Sequence, residues 1–136
     1  MAPNLSGIDH IHVFVSNRAT AEDWYRRVLG LVRVPALESW AAGSGPLTLA
    51  DESGRVHLAL FERPRQSCRS VVALGTSGAE FLSWLRHLES ALGRKLEPVD
   101  HEFSWSLYFE DPDGNPFEIT SYEHSTVRAG LSEAGA

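Results

Sequence analysis

Histidines and one strand carboxylate are the side chains in this 136-residue sequence best suited to chemistry. His10 and His12 stand two residues apart in the alternating stretch IDHIHVFV, so a strand would place both on one face. Glu118 lies between two large apolar residues, Phe117 and Ile119. A carboxylate carried into a sheet is costly unless it is paired, hydrogen-bonded or bound to a metal. We therefore expect Glu118 to have a specific partner.

The stretch SLYFEDPDGNPFEI around Glu118 predicts a hairpin. Apolar and polar residues alternate from residue 106 to 110, and the turn that follows concentrates Asp, Pro, Gly and Asn. If Glu118 faces inward, Ser106 and Tyr108 share its face. The Tyr108 phenol could then bind or polarise a substrate oxygen, and Ser106 could contact the substrate.

Hydrophobic periodicity predicts the remaining elements. In the first half we expect a strand over 8–15, a helix over 19–29 and strands over 31–37, 47–50 and 55–61. A polar linker over 62–69 follows. In the second half we expect a strand over 70–74, a helix opened by a capping box at Ser77 and Glu80, and a strand over 95–99 before the hairpin. The tail is small and polar, which predicts fraying beyond Arg128.

The predicted order is strand, helix and three strands, twice over. This predicts an α+β fold of two tandem βαβββ modules, about residues 7–62 and 69–123, within a single domain over 1–136. Each half alone would expose one sheet face. The halves must therefore pack side by side or exchange between chains.

Composition limits the partners. The formal charge of −6 and the absence of Lys/Arg runs argue against nucleic acid and anionic membranes. The single cysteine, Cys68, allows no internal disulfide, and neither a signal peptide nor a bilayer-spanning run is evident. We expect a cytoplasmic protein with a small-molecule substrate or ligand.

The paired modules, the opening strand IDHIHVFV and the closing YFEDPDGNPFE hairpin resemble the vicinal oxygen chelate superfamily. That group includes glyoxalase I, extradiol ring-cleaving dioxygenases, fosfomycin-resistance transferases and bleomycin-binding proteins. The resemblance covers about residues 7–122. It implies a cupped mixed sheet with helices on its outer face and a homodimer.

The resemblance also implies metal ligands on the first and last strand of each module. Three of these positions fall on His10, His57 and Glu118, a donor set that suits Fe, Mn, Zn or Ni. The fourth falls at or beside Val71, where metal-binding members usually have His or Gln, so the sequence departs from the pattern there. Alternatively, His10 is a sheet histidine bonded to the backbone and Glu118 pairs with Arg33 or another cation.

Further candidate residues surround this set. The stretch around His101 resembles the Asp-His stretch before the closing hairpin of extradiol-dioxygenase-like members, so His101 could act as an acid or base at the pocket rim, or be a loop histidine. His12 would line the cup. Trp40 and Trp105 could stack on an aromatic ligand. Glu118, Tyr108 and His101 are therefore the catalytic candidates.

The function implied is a metal-dependent glyoxalase- or dioxygenase-like enzyme, a lyase, isomerase or ring-cleaving oxygenase, whose substrate binds through vicinal oxygens. The alternatives are a metal-free binding protein of the bleomycin-resistance type, which apolar Val71 favours, and a non-catalytic dimerising domain.

Overall fold

Two four-stranded mixed sheets, each accompanied by helices, form the framework of the chain. The computed structural model describes residues 1–135. The chain divides into two compact units, Met1–Gln66 and the segment from Ser67 onward, called module one and module two below. None of the helices described in this range has the length and apolar composition that a bilayer crossing requires.

Module one has the strand order β1-β4-β3-β2, in which β1 runs parallel to β4 and the other pairs are antiparallel. Its elements are β1 (Ile11–Val15), α1 (Arg18–Leu29), β2 (Val32–Arg33), a 3₁₀ helix (Pro35–Ala41), β3 (Leu47–Ala50) and β4 (His57–Glu62).

Local sequence fixes both ends of α1. The Asn17 side chain accepts a hydrogen bond from the Thr20 backbone N–H, and Gly30 ends the helix in the left-handed conformation at φ 71°. The apolar stripe predicted for this helix is buried, and α1 packs against β2 and β4. This packing covers the face of the sheet that carries Val13, Leu58 and Leu60.

Module two repeats the plan with the order β5-β8-β7-β6, again with its first and last strands parallel. Its elements are β5 (Val72–Gly75), α2 (Gly78–Leu92), β6 (Val99–Asp100), β7 (Trp105–Glu110), β8 (Pro116–Ser121) and α3 (His124–Ala134). The predicted cap is present, since Ser77 Oγ accepts a hydrogen bond from the Glu80 N–H at 3.2 Å.

The turn between β7 and β8 is organised by Asp111. One of its carboxylate oxygens accepts hydrogen bonds from the N–H groups of Asp113 and Asn115, at 2.8 and 2.9 Å. Its other oxygen accepts from the Asn115 side-chain amide at 2.7 Å. Gly114 takes the positive φ of 82° that the turn needs. This turn fixes the register that places Glu118 opposite Tyr108.

Each sheet has a second face that its own helix leaves uncovered, called the open face. In module one the registers place His12 beside Ala59, and Ala50 beside His57, on this face. In module two the open face carries Ser106, Tyr108, Glu118 and Thr120. Residues of alternate parity, such as Phe117 and Ile119, are buried on the helix face.

The structure confirms the α+β class and the repeated strand–helix–three-strand plan. Several predicted bounds are wrong. The first strand begins at Ile11 instead of Ile8, which is exposed. The strand predicted over 31–37 is limited to Val32–Arg33, because Pro35 opens a 3₁₀ helix. The strand predicted over 95–99 forms only as Val99–Asp100.

The prediction of a frayed tail is also wrong. Residues His124–Ala134 form α3, with Val127 fully buried. The helix approaches α2 closely at two glycines: a Cβ on Gly78 would meet Thr126 at 2.8 Å, and one on Gly130 would meet Leu82 at 2.1 Å. Small residues that suggest disorder in the sequence therefore serve as the contact surface between two helices.

Candidate functional site

A chain of three polar side chains lies at the start of β1. His10 Nδ1 is 2.8 Å from Asp9 Oδ2, and His10 Nε2 is 3.1 Å from His12 Nε2. The two imidazoles are stacked, with ring centroids 5.0 Å apart, and His12 also contacts Phe61. His10 thus bonds to side chains on both nitrogens, and the alternative of a histidine bonded to the sheet backbone is not what the structure shows.

This arrangement selects one form of the His10 imidazole. The Asp9 carboxylate accepts a hydrogen bond, so the proton of a neutral His10 resides on Nδ1. Its Nε2 then carries a lone pair, which accepts the N–H of His12. A histidine held in this tautomer by a carboxylate is the form in which imidazoles bind metal ions in proteins.

His10 and His57 open onto the same cavity in module one, which has a volume of about 190 Å³. The cavity is lined by Asp9, His10, Leu37, Trp40, Pro46, Thr48, His57 and Ala59. Pockets for drug-sized ligands measure roughly 300–1,000 Å³, so this one suits a small compound or one end of a larger one. Trp40 is 55% exposed, which leaves its ring available to a ligand.

Glu118 in module two is half-buried and hydrogen-bonded. Ser106, which is fully buried, donates its hydroxyl to Glu118 Oε2 at 2.6 Å, and Thr120 Oγ1 lies 3.2 Å from the same Ser106 hydroxyl. The cation proposed as an alternative partner, Arg33, instead pairs with Glu22 of α1. This contact lowers the pKa of the Glu22 carboxyl below its ordinary value.

His101 and Tyr108 meet on the same side of module two. His101 Nε2 is 2.9 Å from the Tyr108 hydroxyl, and the two rings meet edge to face. Tyr108 lies directly across the β7–β8 ladder from Glu118 and is 42% exposed. The structure therefore brings Glu118, Ser106, Tyr108 and His101 onto one surface of this module.

Trp105 lies elsewhere. Its register with Ser121 puts it on the helix face, where its ring stacks on His124 and its indole N–H donates to the His124 carbonyl at 3.2 Å. The residue that the sequence suggests as a stacking wall for a ligand thus packs on α3.

The position expected to hold a fourth metal ligand is apolar. Val71 precedes β5 and is 49% exposed, and Ala73 is the cross-strand neighbour of Glu118. Among residues 1–135, no group of three or more His, Cys, Asp or Glu side chains is gathered closely enough to hold a metal ion. Each module does contain suitable donors: the imidazoles of His10 and His57 in module one and the Glu118 carboxylate in module two.

Three polar residues at these surfaces are not among the site residues predicted from the sequence. Asp9 orients His10, Thr48 lines the cavity while buried, and Thr120 completes the hydrogen bonds around Ser106. A detectable signal existed for two of them, because Asp9 adjoins His10 and Thr120 follows Glu118 at the spacing of one strand face.

Comparison with known proteins decides the family. A model of the glyoxalase/bleomycin resistance protein/dioxygenase superfamily matches residues 7–119. The chain belongs to this superfamily. No curated protein sequence matches it significantly.

Several solved structures have the same fold. An integron cassette protein from the mobile metagenome of the Halifax Harbour sewage outfall is 24% identical, with a TM-score of 0.72 over 86% of this chain and 99% of the other. A glyoxalase/dioxygenase from Nostoc punctiforme is 22% identical, with a TM-score of 0.69 over 90% and 95% of the two chains.

A genomically encoded fosfomycin resistance protein from Listeria monocytogenes is 16% identical, with a TM-score of 0.68 over 90% and 97%. That protein was solved in complex with Mn(II) and 1S,2S-dihydroxypropylphosphonic acid. At these identities, the likeness of the three structures concerns the fold.

Proposed function

We propose that this protein is a metal-dependent enzyme of the superfamily, with His10, His57 and Glu118 as the metal ligands. One observation carries the proposal: His10 and His57 line the same cavity, and Asp9 holds His10 in the tautomer whose Nε2 lone pair would bind a metal in place of the His12 N–H that it now accepts. Two imidazoles and a carboxylate suit Fe(II), Mn(II), Zn(II) or Ni(II) and leave coordination positions for a substrate.

When bound, the metal would act as a Lewis acid that holds two vicinal oxygens of a substrate and stabilises negative charge on them. The protein's own residues would bind and orient. Ser106 fixes one oxygen of Glu118 by its hydrogen bond, which leaves the other oxygen for a ligand role. Trp40 and His12 would contact the body of the substrate.

Proton transfer would fall to the His101–Tyr108 pair. Their 2.9 Å hydrogen bond allows one proton to move between the imidazole and the phenol oxygen. Exposure of Tyr108 gives a substrate access to that oxygen. A lyase, an isomerase and a ring-cleaving oxygenase all require such a group beside an activated oxygen, and these are the reaction classes that we propose.

The Listeria protein supports the metal part of this proposal, because a chain of the same fold was solved with Mn(II) together with a compound that carries two adjacent hydroxyls. The bound Mn(II) and dihydroxy compound are ligands of the Listeria protein. For the present chain, we therefore propose a vicinal diol or its oxidised equivalent as the first substrate class to test.

Metal titration tests the proposal. Protein purified without chelator and then titrated with Mn²⁺ and Zn²⁺ should bind about one ion per chain by calorimetry. The double variant His10→Ala/Glu118→Ala should lose this binding, whereas the matched control His87→Ala/Glu133→Ala should keep it. Equal and substoichiometric metal in all three proteins would refute a metal-dependent function.

A second candidate function is a metal-free binding protein, which the apolar Val71 and Ala73 beside the Glu118 strand favour. It would bind a small aromatic compound against Trp40 without turning it over. Binding that quenches tryptophan fluorescence and persists in EDTA is its expected signature. Turnover that EDTA abolishes would exclude it in favour of the enzyme.

A further inference from the structure

The segment over 35–46 forms one wall of the module-one cavity. It begins as the 3₁₀ helix Pro35–Ala41 and turns back to β3, and it contributes Leu37, Trp40 and Pro46 to the lining. It has no place in the strand ladders of the sheet. Its position relative to the two histidines must therefore come from other contacts.

Arg18 supplies two of these contacts. Its guanidinium donates from Nη1 to the Gly45 carbonyl at 2.7 Å and from Nη2 to the Ala41 carbonyl at 2.8 Å. A planar guanidinium can satisfy two carbonyls at a fixed spacing, which the single ammonium group of a lysine cannot reproduce. Arg18 thus joins both ends of the turn that follows Trp40.

Arg18 is itself firmly placed. It is the first residue of α1, directly after the capping residue Asn17, and its backbone N–H donates to Glu62 Oε2 at the end of β4 at 2.9 Å. Arg63 adds a weaker contact to the same turn, from Nη2 to the Ser44 carbonyl at 3.4 Å. The side chains of Arg18 and Arg63 therefore hold the turn to the start of α1 and the end of β4.

Close packing inside the segment shows how narrowly its conformation is set. A Cβ added to Gly45 would lie 1.9 Å from the Trp40 carbonyl oxygen, a backbone atom that cannot move aside alone. Only glycine therefore fits at this position while the Trp40 backbone stays where it is. Arg18 bonds to the carbonyl of this same glycine.

We infer that Arg18 is a positioning residue that fixes the Trp40 wall, so that selection of an aromatic ligand in the cavity depends on a side chain that does not line it. The ligand class is a small compound whose planar ring packs on Trp40 beside His10 and His57. This deepens the proposed function in one respect, because it assumes that the cavity is the ligand site. It does not depend on a bound metal.

The test compares Arg18→Gln and Arg18→Lys with Arg65→Gln, a matched control at an exposed arginine of the same module. The Trp40 indole N–H resonance, identified with Trp40→Phe, reports the wall, and phenol serves as the aromatic probe. We expect phenol to shift this resonance in the wild type. In Arg18→Gln its dissociation constant should rise by about tenfold, and amide exchange over 41–45 should accelerate by a similar factor.

Arg18→Lys should give an intermediate change and Arg65→Gln none. An unchanged Trp40 resonance and unchanged exchange in Arg18→Gln would overturn the inference, as would an equal effect of Arg65→Gln. If phenol does not shift the Trp40 resonance of the wild type, the role of Arg18 in ligand selection is overturned. If Arg18→Gln fails to fold, Gly45→Ala displaces the same wall and should produce the same change at Trp40; no change there would also overturn the inference.

Zn²⁺ titration of the same proteins separates this inference from the proposed function. Arg18→Gln should bind Zn²⁺ as the wild type does, because neither His10 nor His57 belongs to the 35–46 segment. Absence of Zn²⁺ binding in the wild type would refute the metal site and leave the Trp40 result standing. If the wild type binds Zn²⁺ and the Trp40 resonance is the same in Arg18→Gln, only the inference about Arg18 is refuted.

Discussion

At the scale of single residues, the hydrogen bond between Asp9 and His10 is the feature with the clearest chemical consequence. It orients the ring and places its proton on Nδ1, so that Nε2, which lies 3.1 Å from His12 Nε2, is the acceptor. Asp9 itself is 95% exposed. Solvent therefore weakens the interaction, and its effect on metal binding should lie at the low end for such partners.

We predict that Asp9→Asn lowers the affinity for Zn²⁺ by about tenfold, because an amide no longer favours a proton on His10 Nδ1. Calorimetric titration at constant ionic strength measures the change. Asp23→Asn, which removes an exposed carboxylate from α1, serves as the control. Equal affinities in Asp9→Asn and wild type would show that Asp9 does not act through His10.

Ser106 is the corresponding residue in module two. It is fully buried and donates to a half-buried carboxylate, so its removal leaves Glu118 Oε2 without this donor. We predict that Ser106→Ala lowers the free energy of unfolding by about 1–2 kcal/mol at neutral pH. Urea denaturation gives the value, and Ser132→Ala at an exposed position of α3 should change it little. A loss no larger than that of the control would contradict this account.

At the scale of elements, α3 is held to the sheet of module two at its first residue. His124 Nε2 lies 2.6 Å from Asp100 Oδ1, and the His124 ring stacks on Trp105. The Asp100 carboxylate also accepts the Glu102 N–H at 2.8 Å, at a residue with a positive φ of 71°. One carboxylate thus joins α3 to the turn that carries His101.

These contacts predict how stability depends on pH. Hydrogen bonds from His124 and from the Glu102 backbone, with Arg128 nearby, lower the pKa of the Asp100 carboxyl below its ordinary value of 3.8. A lowered pKa in the folded state stabilises the protein above the ordinary value, and this contribution is lost as the pH falls through the lowered one. Asp100→Asn should therefore lower the melting temperature at about pH 5, and this difference from the wild type should shrink as the pH falls below the ordinary pKa of the carboxyl.

Thermal melts of Asp100→Asn and wild type across this range check the prediction, with Asp113→Asn as a control in another turn. A difference between the two proteins that stays constant down to the acid limit would contradict it. The His101–Tyr108 hydrogen bond should loosen in the same variant, because Asp100 orders the turn between them. The Tyr108 ring resonances report that change.

At the scale of the whole molecule, the open faces favour association. They carry exposed apolar and aromatic groups in each module, including Phe14, Val32 and Tyr108. The resemblance to the superfamily implies a homodimer, and we predict a solution mass of twice the 15.0 kDa chain. Light scattering over a dilution series measures it, and Phe14→Glu should shift the mass toward that of one chain. A wild-type mass of one chain at all concentrations would contradict the dimer.

The repeat, the helix caps and the alternating strands were predictable because they depend on local chemistry. Ser77 accepts the hydrogen bond that a capping box requires, and the Asp111 turn sets the hairpin register. Segments whose structure comes from distant contacts were not predictable. Arg18 contacts the end of the 3₁₀ helix that follows Pro35, and α3 contacts Asp100, Trp105 and α2.

The sequence by itself determined the α+β plan, the superfamily and the faces on which His12, Tyr108 and Glu118 lie, because strand alternation and turn chemistry are encoded within a few residues. Only the tertiary structure decided their partners. It paired Glu118 with Ser106 and not Arg33, joined His101 to Tyr108, turned Trp105 toward α3, and placed Trp40 in a cavity wall with His10 and His57. Hydrogen bonds and packing between residues far apart in the chain depend on the folded geometry, which no local pattern contains.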